Sequence, residues 1–181
     1  MKILVLGLGN DLHGDDGVGL RVVNLLKRAW LAGARPAATT AAVDFEECCA
    51  SGAALLEVLH GYDGVLIIDT IFKPEPVTGR VRILESMDIR DVPGPSPHYI
   101  SVPQTLALGR RLGLKMPVTM KVVAVEAADL LQLKEGLSEE MRARLPAILE
   151  VAQSVLIRLV EPVCPVDDQS RRVIDNRGRT G

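Results

Sequence analysis

The sequence predicts an α/β protein with a mostly parallel sheet covered by helices on both faces. Two observations carry that expectation. Apolar runs of strand length alternate along the chain with stretches of helical periodicity, the pattern of βαβ units. Several of those runs are near-continuously apolar, as strands buried on both faces must be. The chain has 181 residues, 48% of them hydrophobic, which suits one domain with a sizeable core and is too apolar for a disordered chain.

The elements follow in order. "KILVLG" reads as a buried strand leading into a loop at Gly9–Gly17. "VGLRVVNLLKRAW" places Val18, Val22, Leu25, Leu26 and Ala29 at helical spacing. "PAATTAAVDF" is a weaker strand, and "SGAALLEVLHGY" a helix opened by Ser51 as N-cap. "GVLIIDT" has the length of a strand and ends at Asp69. "VTGRVRILE" alternates after a proline-rich turn, which predicts an edge strand or hairpin arm. Residues 86–98 hold three prolines and read as a loop. A helix, "SVPQTLALGRRLGL", tolerates Pro103 in its first turn. "VTMKVVAVEA" is another buried strand. The long amphipathic helix "SEEMRARLPAILEVAQSVLIRLVE" gathers Met141, Leu145, Ile148, Ala152, Val155, Leu156 and Leu159 on one face, with Glu139 and Glu140 at its positive end. Pro146 is expected to kink it or mark its start. From position 162 the chain turns polar and aperiodic, so residues 1–161 are read as the domain and 162–181 as a mobile tail.

Composition excludes several classes. A net charge of −2 offers no global basic field for nucleic acid. The first apolar run is too short for a membrane span and lacks the layout of a signal peptide. Cys48, Cys49 and Cys164 form no CxxC pair, which points to a reducing cytoplasm rather than a disulfide framework or Cys-rich zinc site.

The chemistry concentrates in "LVLGLGNDLHGDDGVG". Its glycines run GxGxxxxG, which is neither a dinucleotide fingerprint nor a P-loop. Asp15 and Asp16 would compete with a phosphate for the same N–H groups. Tight packing of strand on helix accounts equally well for Gly7 and Gly9, and N-capping of the helix near Val18 for one aspartate. Alternatively Asp16, Asp69 and His98 form a divalent metal or acid–base site. In parallel sheets ligands gather at strand carboxyl ends, where Asp69 and the glycine loop both fall. Taken singly, each of the three is also explained as a cap or surface residue.

The motifs "LVLGLGNDLHGDDGVG", "LIIDTI" and "SPH", in this order and spacing, resemble the [NiFe]-hydrogenase maturation endopeptidases. The likeness runs from Met1 to about Val160. It implies a three-layer, phosphorylase/hydrolase-like sandwich with a twisted, mostly parallel sheet between helices. It also implies that Asp16, Asp69 and His98 bind metal, and that the activity is removal of a C-terminal extension from the hydrogenase large-subunit precursor once nickel is in place. One departure is "EECCASG", residues 46–52, where the family carries a Gly-Thr stretch beside the site. Peptidyl-tRNA hydrolases share a "GLGN"-type turn, but only over the first ten or so residues. A nucleotide-binding regulatory module is a third, non-enzymatic reading.

His13 reads as an exposed residue beside the loop, His60 as a helix-terminal cation, and Cys48 and Cys49 as incidental. No nucleophilic triad is legible. Two carboxylates and one imidazole are few ligands, so the expectation is that nickel arrives on the substrate, with no organic cofactor. Asp16 or Asp69 then activates water; the sequence does not distinguish them.

Overall fold

The computed structural model describes residues 1–50, 52–85, 101–128, 130 and 133–161. His98, Ser51, Cys164 and the expected tail lie outside them. Among the described residues five strands make one sheet: β1 (Lys2–Leu8), β2 (Ala42–Cys48), β3 (Gly64–Phe72), β4 (Val81–Glu85) and β5 (Thr119–Ala127), in the order β2-β1-β3-β5-β4. Every neighbouring pair is parallel except β4 with β5, so of the two expectations for β4, edge strand or hairpin arm, the structure shows an edge strand, antiparallel to β5.

Among the described residues four helices cover the sheet: α1 (Val18–Leu31), α2 (Leu55–Leu59), α3 (Ser101–Arg111) and α4 (Glu139–Val160). Helices α1 and α4 share one core with Ile3, Val5, Leu66, Ile68, Val123 and Val125. Helices α2 and α3 pack on the other face, against Leu4, Leu6, Val65, Ile67, Val122 and Ala124. Alternate residues of each central strand therefore feed opposite cores, which is why these runs are apolar throughout. Among the described residues no helix is long and apolar enough to cross a membrane.

Four boundaries differ from the sequence reading. Helix α2 is shorter than expected, Leu55–Leu59, with Ala54 rather than Ser51 as its N-cap. The second strand starts at Ala42 and reaches Cys48, taking in the first residues of "EECCASG". Its register against β1, Lys2 with Ala42 through Leu8 with Cys48, selects that frame. Strand β3 runs to Phe72, so Asp69 lies within the strand, paired with Ala124, rather than at its end. Pro146 lies inside α4, which starts at the Ser138 N-cap. There the Ser138 hydroxyl accepts the Met141 N–H at 3.1 Å.

Candidate active site at the carboxyl ends of β1 and β3

The connection leaving β1 goes to β2 on one side, while β3 lies on the other. This is the point where strand order reverses, the place where open α/β sheets bind ligands beyond the carboxyl ends of their strands. The loop after β1 is folded tightly against it. Gly9 has φ 142°, and a Cβ at that position would lie 1.9 Å from the Asp16 carbonyl oxygen. A Cβ on Gly7 would meet the Gly19 carbonyl at 2.5 Å, and one on Gly19 would meet the carbonyls of Leu8 at 2.2 Å and Ile68 at 2.5 Å. The glycines thus let α1 seat directly on β1 and β3. That is the tight packing of strand on helix that the sequence offered for Gly7 and Gly9.

A 3-10 turn, Gly14–Gly17, carries the two aspartates. Neither caps α1, whose N-cap is Gly17 with no side-chain bond, so the capping alternative fails. The pair divides instead. Asp15 turns to α4: its carboxylate accepts the Ser138 N–H at 2.7 Å and the Ser138 hydroxyl at 2.8 Å. Two backbone bonds strengthen that seam, from Gly14 N–H to the Lys134 carbonyl at 2.7 Å and from Lys134 N–H to the Leu12 carbonyl at 3.0 Å. His13 is half-buried in the same seam, bridged to Lys134, rather than exposed.

Asp16 turns to the sheet. It is 7% exposed, and its Oδ1 accepts the Thr70 hydroxyl at 2.7 Å. Asp69 is fully buried, and its Oδ1 accepts the Thr70 N–H at 2.8 Å. Two carboxylates from segments more than fifty positions apart thus meet on one residue. Burying two anions is costly without a cation or strong donors. Among the described residues no three His, Cys, Asp or Glu side chains converge as a metal site, and His98 is not among those residues.

Sequence reasoning missed Thr70, Ser138 and a further acid, Glu126. Glu126 is buried on β5 and bonded to Arg82 Nε at 2.9 Å and the Val77 N–H at 3.1 Å, with Lys73 Nζ at 3.8 Å. Burial pushes its carboxyl up. The Val77 N–H and the Arg82, Arg80 and Lys73 charges outweigh that and hold it below the ordinary glutamate value. An acid inside the buried run "VVAVEA" was the available signal. Thr70 gave none, because a β-branched residue is ordinary in a strand.

Comparison with known proteins settles the family. Residues 21–155, well over half the chain, match the hydrogenase maturation protease family. The chain belongs to that family. The matched stretch begins after the glycine loop, so Asp69 and position 98 fall inside it and Asp16 outside. The chain is 27% identical to hydrogenase 2 maturation protease of Escherichia coli over 164 residues, 86% of this chain and 91% of that one. It is 25% identical to the hydrogenase expression/formation protein HupD of Thiocapsa roseopersicina, covering 86% and 67% of the two chains. The solved structure of the hydrogenase maturating endopeptidase HybD from E. coli superposes with a TM-score of 0.68 at 26% identity, covering 88% of this chain and 94% of that one. This maturation protease is therefore an endopeptidase on an α/β sandwich. The peptidyl-tRNA hydrolase and regulatory-module readings fall away.

Proposed function

We propose that this maturation protease removes the C-terminal extension of a [NiFe]-hydrogenase large-subunit precursor after nickel insertion, and that Asp16, Asp69 and His98 receive the nickel the precursor carries. The observation that carries the reading is the pair of buried carboxylates, Asp16 and Asp69, at the point where strand order reverses. Their oxygens and an imidazole suit a divalent ion of borderline softness. Helix α3 supports the inclusion of His98. Thr105, in the first half of the helix, donates to the Gly52 carbonyl, just beyond the end of β2, while Lys115 beyond its end accepts from Gly61, just before β3. The helix therefore enters at the same rim as the carboxylates, three residues after position 98.

The chemistry follows from a metal acting as a template. Substrate thiolates supply most of the nickel's ligands, and the protease completes the shell, which sets the scissile carbonyl against the site. A carboxylate of the pair takes a proton from water, whose oxygen adds to the carbonyl carbon. The same proton then passes to the leaving amine as the C–N bond breaks. The reaction belongs in the cytoplasm, where thiolates stay reduced.

The test crosses metal-free and nickel-treated enzyme with nickel-loaded and nickel-free precursor, and reads the released peptide by mass. Cleavage of loaded precursor by metal-free enzyme, and of nothing lacking substrate nickel, is expected. A hundredfold preference corresponds to about 2.7 kcal/mol, within reach of one or two coordinate bonds. Cleavage of nickel-free precursor by preloaded enzyme instead identifies a protease with its own catalytic ion.

A further inference from the structure

Thr70 is fully buried and donates to both carboxylates of the site. Its N–H reaches Asp69 Oδ1 at 2.8 Å and its hydroxyl reaches Asp16 Oδ1 at 2.7 Å. Strand alternation explains how one residue does this. Asp69 continues the row of Val65 and Ile67, which faces α2 and α3. Thr70 continues the row of Leu66 and Ile68, which faces α1 and α4, and so meets the 3-10 turn that precedes α1. Packing alone favours valine here, which has the same shape, the same β-branch and no polar atom to bury. The hydroxyl makes sense only through its one proton, which goes to Asp16.

That bond leaves an asymmetry. Among the described residues Asp16 Oδ2 has no hydrogen-bond partner, although the residue is 7% exposed. A carboxylate with one oxygen pinned and the other free is held in a single rotation about its terminal bond. We infer that Thr70 is a positioning residue that fixes the Asp16 carboxylate so that Oδ2 is presented to the substrate-borne metal. The inference rests on the function proposed above. It adds a residue that touches neither metal nor scissile bond, yet sets how well the site recognises a loaded precursor. Groups that orient a ligating carboxylate in this way are typically worth about 10–100-fold in affinity or activity.

The experiment compares Thr70→Val, which loses only the hydroxyl, with Thr70→Ser, which keeps it and loses a methyl group. Two readouts are taken on each: kcat/KM on nickel-loaded precursor, and equilibrium affinity for a loaded precursor whose scissile residue has been replaced so that it is not cut. Thr70→Val is expected to lose about 10–100-fold in both, with the loss in KM and affinity rather than in kcat. Thr70→Ser is expected to stay within about threefold of the parent. Thermal unfolding of each variant checks the fold. If the valine variant does not fold, alanine replaces it, because serine and alanine differ by the hydroxyl alone. Equal behaviour of the hydroxyl-bearing and hydroxyl-free variants overturns the inference, and so does an affinity of the hydroxyl-free variant unchanged from the parent. A parent enzyme that ignores loaded precursor overturns the function underneath it. A parent that cleaves while the valine variant matches it removes only the positioning role.

Discussion

At the residue scale, "GDDG" assigns two adjacent carboxylates to different tasks. Asp15 holds the 3-10 turn to the start of α4 through Ser138, while Asp16 faces β3 through Thr70. A charge on Asp69 and Asp16 is what the proposed site needs, so neutralising either one should stop processing without disturbing the core. Asparagine at position 69 keeps the shape of aspartate and an oxygen that still accepts the Thr70 N–H. Asp69→Asn and His98→Ala should each reduce release of the C-terminal peptide by at least two orders of magnitude, with circular dichroism unchanged. Asp16→Glu should keep partial activity and Asp16→Asn less, because the longer acid retains the charge. Native processing rates in the Asp69 or His98 variant, or equal rates in the two Asp16 variants, would count against the assignment.

At the element scale, the site depends on how closely α1 approaches the sheet. The helix begins at Val18, and its second residue, Gly19, lies against the carbonyls of Leu8 and Ile68. Those obstacles are backbone, so they cannot swing aside as a side chain would. Overpacking typically costs about 1–3 kcal/mol, and Gly19→Ala belongs at the top of that range. Its Tm should fall by roughly 6–12 °C. Because the 3-10 turn is continuous with α1, the same shift carries Asp16 away from Thr70, and processing should fall in the protein that remains folded. A Tm within about 2 °C of the parent, by calorimetry, would show that α1 is free to move off the strands. Glu126 does comparable work on the far side, gathering Arg82, Lys73 and the Val77 N–H around the connection from β3 to β4.

At the scale of the whole molecule, the charge pairs bound the pH range of stability. The Tyr62 hydrogen bond and the Lys2 ammonium hold Asp44 below its ordinary value, and the Lys115 ammonium and Lys2 N–H do the same for Asp63. Glu126 is also lowered. Groups with depressed values favour the fold above their ordinary pKa, and that contribution is lost as pH falls through the folded values. The acid limb therefore lies below 4.5 for Glu126 and below 3.8 for the two aspartates. Tyr62 sets the opposite limb. Burial, and then its hydrogen bond to Asp44, pushes its phenol from 10.0 up to about 12. A raised value means full stabilisation below pH 10, lost as pH climbs towards 12. Chemical denaturation across pH 9–12 should show that decline in the parent and a flatter profile in Tyr62→Phe. Parallel profiles would exclude Tyr62 as the group responsible.

Much of this protein was legible in its sequence, because much of it is local. Strand runs, helix periods and the alternation of the edge strand depend on residues a few positions apart, and burial on both faces leaves the central strands visibly apolar. Asp69 stood out because a carboxylate is conspicuous at the end of an apolar run, and Asp16 because it is one of two adjacent aspartates in a glycine-rich loop. Tertiary structure decided what depends on contact between distant segments. It placed Asp69 inside β3, since strand ends follow from pairing with β5 rather than from composition. It separated Asp15 from Asp16, since only the packing of α4 shows where the Ser138 N–H points. It showed the glycines to be a close helix–sheet contact, because a missing Cβ has no meaning until the opposing carbonyl is known. It also brought out Thr70, a residue of ordinary strand propensity whose hydroxyl matters only because a loop 54 positions away ends beside it.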